Sequence, residues 1–545
     1  MKRRSFFKTA AIGGAAFSLS PLAACEDKSG KTAAPTADFT RFEFNEVTIE
    51  QLQQKMKSGE LTTEQLTNKY LGRIKAVDQN GPSLHTVIEL NPDAITIARK
   101  LDEERKAGKV RGPLHGIPIL IKDNIDTGDK MQTTAGSLAL EGNHPKNDAF
   151  IVAKLREAGA VLLGKTNLSE WANFRSNHSS SGWSGRGGQT CNPYVVDRSP
   201  CGSSSGSGAA VSSNFCAIAI GTETDGSIVC PSGINGVVGI KPTVGLWSRH
   251  GIIPISHSQD TAGPMARSVT DAATLLGPLV GDDANDKSTM PASKWKGTDY
   301  TQFLDKNGLN GARIGIIKDY FGFNPDVDTL MDQAMDAMKL QGAELVDLEP
   351  MKDQKEWSKA EWTVMVYEFK NDLNKYLAEH PEAPRKNLKE LIEFNKQNNA
   401  KELQWSDQAI FITAEEKTPS EKEYLNALKI TKTLPAKYID SAMKKHNLNA
   451  LIAPTNGPSW TIDRLNGDHF GGGSSDLAAV SGYPSITVPS GFVHELPIGL
   501  SFVGTAWSEP ELIKLAYSFE QATKLRQAPK FIPSLLNQLG FSLFL

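Results

Sequence analysis

Two short runs rich in serine and glycine hold the residues best suited to covalent chemistry. The first is Cys201-Gly202-Ser203-Ser204-Ser205-Gly206-Ser207-Gly208, and the second is Gly221-Thr222-Glu223-Thr224-Asp225-Gly226-Ser227-Ile228. A serine hydroxyl becomes a nucleophile only when a base takes its proton. The apolar run at 217–220 (Ala-Ile-Ala-Ile) predicts a strand that delivers Ser227 to a loop at its end. Glycine there lets successive backbone N–H groups turn toward one point, which is what binding an oxyanion requires. Read alone, either run is also compatible with a plain loop of small residues.

Other chemistries find less support. Gly202-Ser203-Ser204-Ser205-Gly206 fits G-x-S-x-G formally, but a nucleophile elbow needs an apolar strand before it. Here Pro200 stands in that place and argues against a central strand. The histidines are scattered; His115, His250 and His257 are each isolated, and no HExxH or paired-cysteine spacing marks a metal site. Lys122, Lys165 and Lys241 all lack the glycine spacing of a phosphate-binding loop. No metal or cofactor is expected.

The elements that must position these residues alternate between helix and strand. Thr62-Thr63-Glu64-Gln65 reads as a capping box, and Asn91-Pro92 as a second helix start. The run at 117–121 reads as a buried strand ending at Lys122, although Pro118 interrupts it. Residues 150–158 predict a helix stopped by Gly159, and 161–163 the next strand. Further apolar strands are expected at 313–318, 450–454 and 485–489. This alternation predicts an α/β fold with a largely buried sheet. Residues 350–448 show helical periodicity without a strand, and are expected to form a helical insertion or a cap over the site.

The N-terminus reads as a targeting segment. Arg3-Arg4 followed by a short, weakly apolar stretch resembles a Tat-type signal, too short and too rich in glycine and serine to span a bilayer. Leu22-Ala23-Ala24-Cys25 resembles a lipobox, which would make Cys25 a lipidated first residue. This gives a signal peptide over 1–25, a tether over 26–42 and the folded domain over 43–545. The expected location is the periplasm, with membrane contact only through the lipid anchor. A net charge of −3 gives no basic excess for nucleic acid. The remaining cysteines, Cys191, Cys201, Cys216 and Cys230, sit in apolar or small-residue stretches, and we expect free thiols rather than a bridge.

The motifs taken together resemble the amidase signature family. The likeness rests on Pro200 to Ser207, Gly221 to Ile228 and Gly236-Val237-Val238-Gly239-Ile240-Lys241-Pro242-Thr243. It extends to His115-Gly116-Ile117-Pro118-Ile119-Leu120-Ile121-Lys122-Asp123-Asn124, Gly164 to Glu170, Asp260 to Met265 and Gly482 to Pro489. Trp171-Ala172-Asn173-Phe174-Arg175 and Ser181-Gly182-Trp183 favour the bacterial peptide amidase branch. The resemblance implies one large domain whose mixed central β-sheet is covered by helices on both faces.

The same resemblance implies catalysis by Lys122 as base, Ser203 as relay and Ser227 as nucleophile, with backbone N–H groups of Thr224, Asp225, Gly226 and Ser227 as oxyanion hole. The substrate implied is a carboxamide, such as a peptide C-terminal amide. Asp225 and Cys201 stand where many members carry glycine, so a carboxylate is expected near the site. A lysine base must be uncharged, and lowering its pKa from about 10.4 to near 7–8 takes about 4 kcal/mol of burial. Lys165 is read as structural. The alternatives are amidases for aryl or lipid amides, a non-catalytic envelope lipoprotein, and one component of a glutamine amidotransferase.

Overall fold

The computed structural model describes residues 38–536, and Cys25 with the targeting segment lies outside them. Thirteen strands occur among the described residues. In chain order they are β1 Val87–Leu90, β2 Pro118–Lys122, β3 Val161–Thr166, β4 Trp183–Ser184, β5 Gly188–Gln189, β6 Ile218–Glu223, β7 Val238–Lys241, β8 Thr261–Ala266, β9 Arg313–Ile316, β10 Glu344–Asp347, β11 Ala450–Pro454, β12 Ser485–Val493 and β13 Leu496–Val503. Strands β4 and β5 form a small ribbon; the other eleven form one sheet in the order β1-β3-β2-β6-β8-β7-β12-β13-β11-β9-β10. The sheet is mixed: β2 runs parallel to both β3 and β6, whereas β8 is antiparallel to β6 and β7. Helices cover both faces, as the resemblance implies.

Local chemistry explains most boundaries. Thr62 and Gln65 exchange the two hydrogen bonds of a capping box, at 3.1 and 2.9 Å. The helix expected at Asn91-Pro92 instead begins at Ala94. The Asn91 side chain accepts from the Asp93 N–H at 2.9 Å, and this local turn delays the helix. Pro118 opens β2 rather than interrupting it, which places its missing N–H at a strand end. Gly159 takes φ +79 after the helix Phe150–Glu157 and turns the chain into β3.

Residues 350–448 are helical throughout their regular structure. The long helices Gln354–Glu379 and Glu421–His446 pair, with Tyr367 and Tyr424 stacked at 4.0 Å. Phe411 and Phe369 of this segment pack onto Trp171 and Phe174, at ring distances of 5.5 and 4.9 Å. Trp171, Ala172 and Asn173 hold three successive positive φ angles, a sparsely populated conformation for side chains of these sizes. The packed helices over buried Trp171 hold this loop in place.

Candidate active site

Lys122 ends β2 between two neighbouring strands and is fully buried. Its Nζ lies 2.7 Å from Ser203 Oγ, 3.1 Å from Ser204 Oγ and 2.9 Å from Thr222 Oγ1. Two of these hydroxyls have further partners. Ser204 donates its proton to the Thr222 carbonyl at 3.0 Å and accepts from the Thr222 N–H at 3.1 Å. Thr222 Oγ1 accepts from the Asn124 side-chain amide at 3.0 Å. An uncharged amine has two N–H groups and one lone pair. Nζ also lies 3.2 Å from the Thr222 carbonyl, and both Ser203 and Thr222 present a hydroxyl that an uncharged amine's lone pair can meet.

Burial is the main force on the lysine, pushing it down to about 7 against the attraction of Glu223 and Asp260. The amine is therefore partly uncharged near neutral pH. Lys165 is also buried and depressed by burial, but its Nζ donates to the Ile125 carbonyl at 2.7 Å and to Thr133 Oγ1 at 2.9 Å. It makes no hydrogen bond with either Ser203 or Ser227 among the described residues.

The two serine loops each run into a helix. Ser203 and Ser204 precede Ser205–Ser212, and Ser227 precedes Val229–Ile234. The Gly202–Ser203 peptide is cis. The Ser204 N–H donates to the Ser227 carbonyl at 3.2 Å, so the loops lie side by side. No hydrogen bond joins the Ser203 and Ser227 hydroxyls among the described residues. Glu223 accepts from the N–H groups of Ile228 and Val229, at 2.7 and 3.0 Å, and so fixes the turn after Ser227. The four N–H groups of Thr224, Asp225, Gly226 and Ser227 have no protein acceptor among the described residues. Gly226 takes φ +76 within that turn, a conformation that glycine adopts without a Cβ penalty.

Several residues around Lys122 and the serine loops carried no assigned role in the sequence. Asp260 accepts from Thr224 Oγ1 at 2.6 Å and from the N–H groups of Ile255 and Ser256 at 2.9 Å each. Burial pushes it up to about 6. Asn124 and Thr222 orient the amine, and Glu223 orients the turn. All four lie inside the family-like motifs, whose spacing shows residue type but not which neighbour each one meets. Asp225 does bring a carboxylate close to the turn. Burial and the adjacent Asp476 push it up to about 7, and one of its oxygens is buried without a protein partner.

The expectation of free thiols fails for two cysteines. Cys201 and Cys230 form a disulfide with 6.1 Å between their Cα atoms. They are 29 residues apart in sequence, and only the adjacency of the serine loops brings them together. Cys191 and Cys216 are free. His257, isolated in sequence, is exposed and paired in the structure: its ring meets Asp372 at 2.8 Å and Glu368 at 3.3 Å. Glu368 is already satisfied by Ser256, Ser258 and Tyr424, so this cluster is a hydrogen-bonded network of the fold.

A cavity of about 310 Å³ reaches the partners of Lys122, with Asn124, Ser203, Thr222 and Thr224 in its wall. Ile253 and Ile255 add apolar surface, and Tyr376 closes it from the helical segment. Its volume suits a small molecule or the end of a chain. Ser227 lies outside this wall and is 8% exposed.

Known proteins are similar along most of this chain. The family model described as Amidase matches residues 65–513. The Arabidopsis thaliana protein named "Probable amidase At4g34880" is 40% identical over 501 residues, covering 90% of this chain and 93% of its own. A component of the glutamyl-tRNA(Gln) amidotransferase of Thermoanaerobacter pseudethanolicus is 32% identical, covering 90% and 99%. The native peptide amidase from Stenotrophomonas maltophilia superposes with a TM-score of 0.86 at 51% identity, covering 90% of this chain and 100% of that one. A structure of the peptide amidase PAM with the competitive inhibitor chymostatin gives a TM-score of 0.87 at 51% identity, with the same coverage. With one large mixed sheet, two adjoining serine loops and a family match over most of its length, the chain belongs to the amidase family.

Proposed function

We propose that this amidase hydrolyses carboxamides through an acyl-enzyme, with Ser227 as nucleophile, Ser203 as relay and Lys122 as base. The observation that carries the reading is the uncharged-capable amine of Lys122 at 2.7 Å from Ser203. Lys122 takes the Ser203 proton as Ser203 takes that of Ser227. The Ser227 oxygen then attacks the carbonyl carbon. Negative charge developing on the carbonyl oxygen meets the N–H groups of residues 224–227, each worth about 3–4 kcal/mol in the transition state. The proton returns through Ser203 to the leaving nitrogen, the C–N bond breaks, and ammonia or an amine departs. Water, deprotonated by the same relay, hydrolyses the ester and frees Ser227.

The substrate class we favour is the C-terminal amide of peptides. Its support is the 51% identity to a peptide amidase across 90% of this chain. We also propose export by the Tat route and lipid anchoring through Cys25 on the periplasmic side. That reading rests on Arg3-Arg4 and on Leu22-Ala23-Ala24-Cys25. A disulfide beside the site suits an oxidising compartment. No helix among the described residues is long and apolar enough to cross a membrane.

The deciding experiment is an ammonia-release screen of peptide C-terminal amides, free aliphatic amides and aryl amides, with Ser227→Ala as control. Turnover of peptide amides that vanishes in the variant supports the proposal; undiminished turnover in Ser227→Ala removes Ser227 from its role. Preference for aryl or lipid amides would move the substrate class. Membrane fractionation of the wild type against Cys25→Ser tests the anchor, since only the lipidated chain should sediment with membranes.

A further inference from the structure

Cys201 stands two residues before Ser203, and Cys230 stands three residues after Ser227. Their disulfide therefore joins the relay loop to the nucleophile loop at the place where the spacing of two hydroxyls is decided. The other ties between these segments are few. One is the 3.2 Å bond from the Ser204 N–H to the Ser227 carbonyl. Another is the 2.8 Å bond from the Asn235 side chain to the Pro200 carbonyl. Ser203 is held from the opposite side by Lys122, and the turn after Ser227 by Glu223, so each loop has its own anchor and the disulfide joins the two.

The bond is also enclosed. Cys201, Cys230, Ile234 and Trp460 form their own small apolar cluster apart from the main core. Trp460 is pinned over it: its carbonyl accepts from the Ser199 N–H at 2.8 Å, and its indole N–H donates to Asp468 at 2.9 Å. The free thiol of Cys216 belongs to the main core instead, where burial pushes it up to about 12. This enclosure holds the disulfide in one place against both loops.

We propose that the Cys201–Cys230 disulfide is a positioning element of the serine relay, so that turnover follows the redox state of this one bond. The proposal rests on the reading of Ser203 and Ser227 as relay and nucleophile. Reduction by a dithiol breaks the Sγ–Sγ bond. Each cysteine sulfur takes one hydrogen, and the dithiol loses two as it closes to a cyclic disulfide. The two loops then lose their covalent tie, and the spacing of Ser203 and Ser227 loosens. A displacement of about 1 Å between reacting groups costs on the order of 100-fold in rate.

The test compares the oxidised protein with the protein reduced by dithiothreitol under native conditions. Free thiols are counted by alkylation and mass spectrometry, and folding is followed by circular dichroism. Hydrolysis of a peptide amide gives kcat and KM, and the rate of Ser227 labelling by a fluorophosphonate probe gives a readout that needs no substrate. We expect kcat and the labelling rate to fall by roughly 10- to 100-fold with KM within about twofold, and both to return on reoxidation with diamide. Should reduction unfold the chain, the double variant Cys201→Ala/Cys230→Val, which keeps apolar packing under Trp460, takes its place. That variant should show the same loss and no response to dithiothreitol, whereas Cys191→Ser/Cys216→Ala should respond as the wild type does. A folded protein without the bond that keeps kcat and labelling within twofold overturns the proposal, even if its melting temperature falls. If the oxidised protein cleaves no amide but labels at Ser227, the substrate reading fails while the labelling rate still decides the disulfide's role. Absence of labelling in the oxidised protein sinks the relay and this inference with it.

Discussion

The amine of Lys122 and the hydroxyl of Ser203 lie 2.7 Å apart although 81 residues separate them in the chain. Both side chains are fully buried, and Ser204 beside them has its proton committed to the Thr222 carbonyl. Ser203, the nearest of the three hydroxyls, is the one we propose gives its proton to the lysine lone pair.

Removing the amine should stop the reaction without unfolding the chain. We expect Lys122→Ala to lower kcat/KM by about 10²- to 10⁴-fold, the range typical of a lost acid–base group. Ser203→Ala should cost about as much, and the double variant little more, because the relay acts as a unit. Steady-state kinetics on one carboxamide measure all three. A Lys165→Ala variant that was inactive beside an active Lys122→Ala would reverse the assignment.

The rate should depend on pH in one direction. Only the uncharged amine accepts a proton, and burial holds Lys122 at about 7. Accordingly kcat/KM should climb through pH 7 and level off above it, and fall about tenfold per unit well below. A flat profile from pH 5 to 9 contradicts a lysine base.

Asp225 is also held at about 7, and it can be separated from the lysine. Asp225→Gly keeps the backbone N–H and deletes the carboxyl. The variant should retain turnover within about tenfold and keep the acid limb. Loss of the limb in this variant would assign it to Asp225.

Gly206 should accept no side chain. A Cβ there would sit 2.3 Å from the Thr86 carbonyl oxygen and 2.5 Å from that of Asn167. Both are backbone atoms that cannot swing away, so Gly206→Ala should disturb the helix that follows Ser203. We expect a loss of about 1–3 kcal/mol by urea unfolding, as for other overpacked sites, and a weaker reaction.

The helical segment should be anchored through Phe411. This ring is fully buried and meets Trp171 and Phe369 at 5.5 Å each. Phe411→Ala should cost about 3–5 kcal/mol in the stability of that region, measured by denaturant unfolding. Greater proteolysis within 350–448 than in the sheet would show that the damage stays local.

By itself the sequence determined the kinds of group available and their local settings. Apolar runs ending in Lys122 and leading to Ser227 announced buried strands, because alternating helix and strand patterns leave few other ways to cover a sheet. Capping residues, glycines and prolines announced most turns, since their backbone preferences act within a few residues. Even so, the Asn91 turn delayed a helix by a local hydrogen bond that spacing did not reveal. The family resemblance already preferred Lys122 to Lys165, but only tertiary structure shows what each meets, because both are buried at the end of parallel strands and differ in what stands across from them. Tertiary structure alone paired Cys201 with Cys230, and set Asp260 and Glu223 against the loop that holds Ser227. Those contacts join residues from separate strands and loops, and a sheet whose strand order departs from chain order is what brings them within bonding distance.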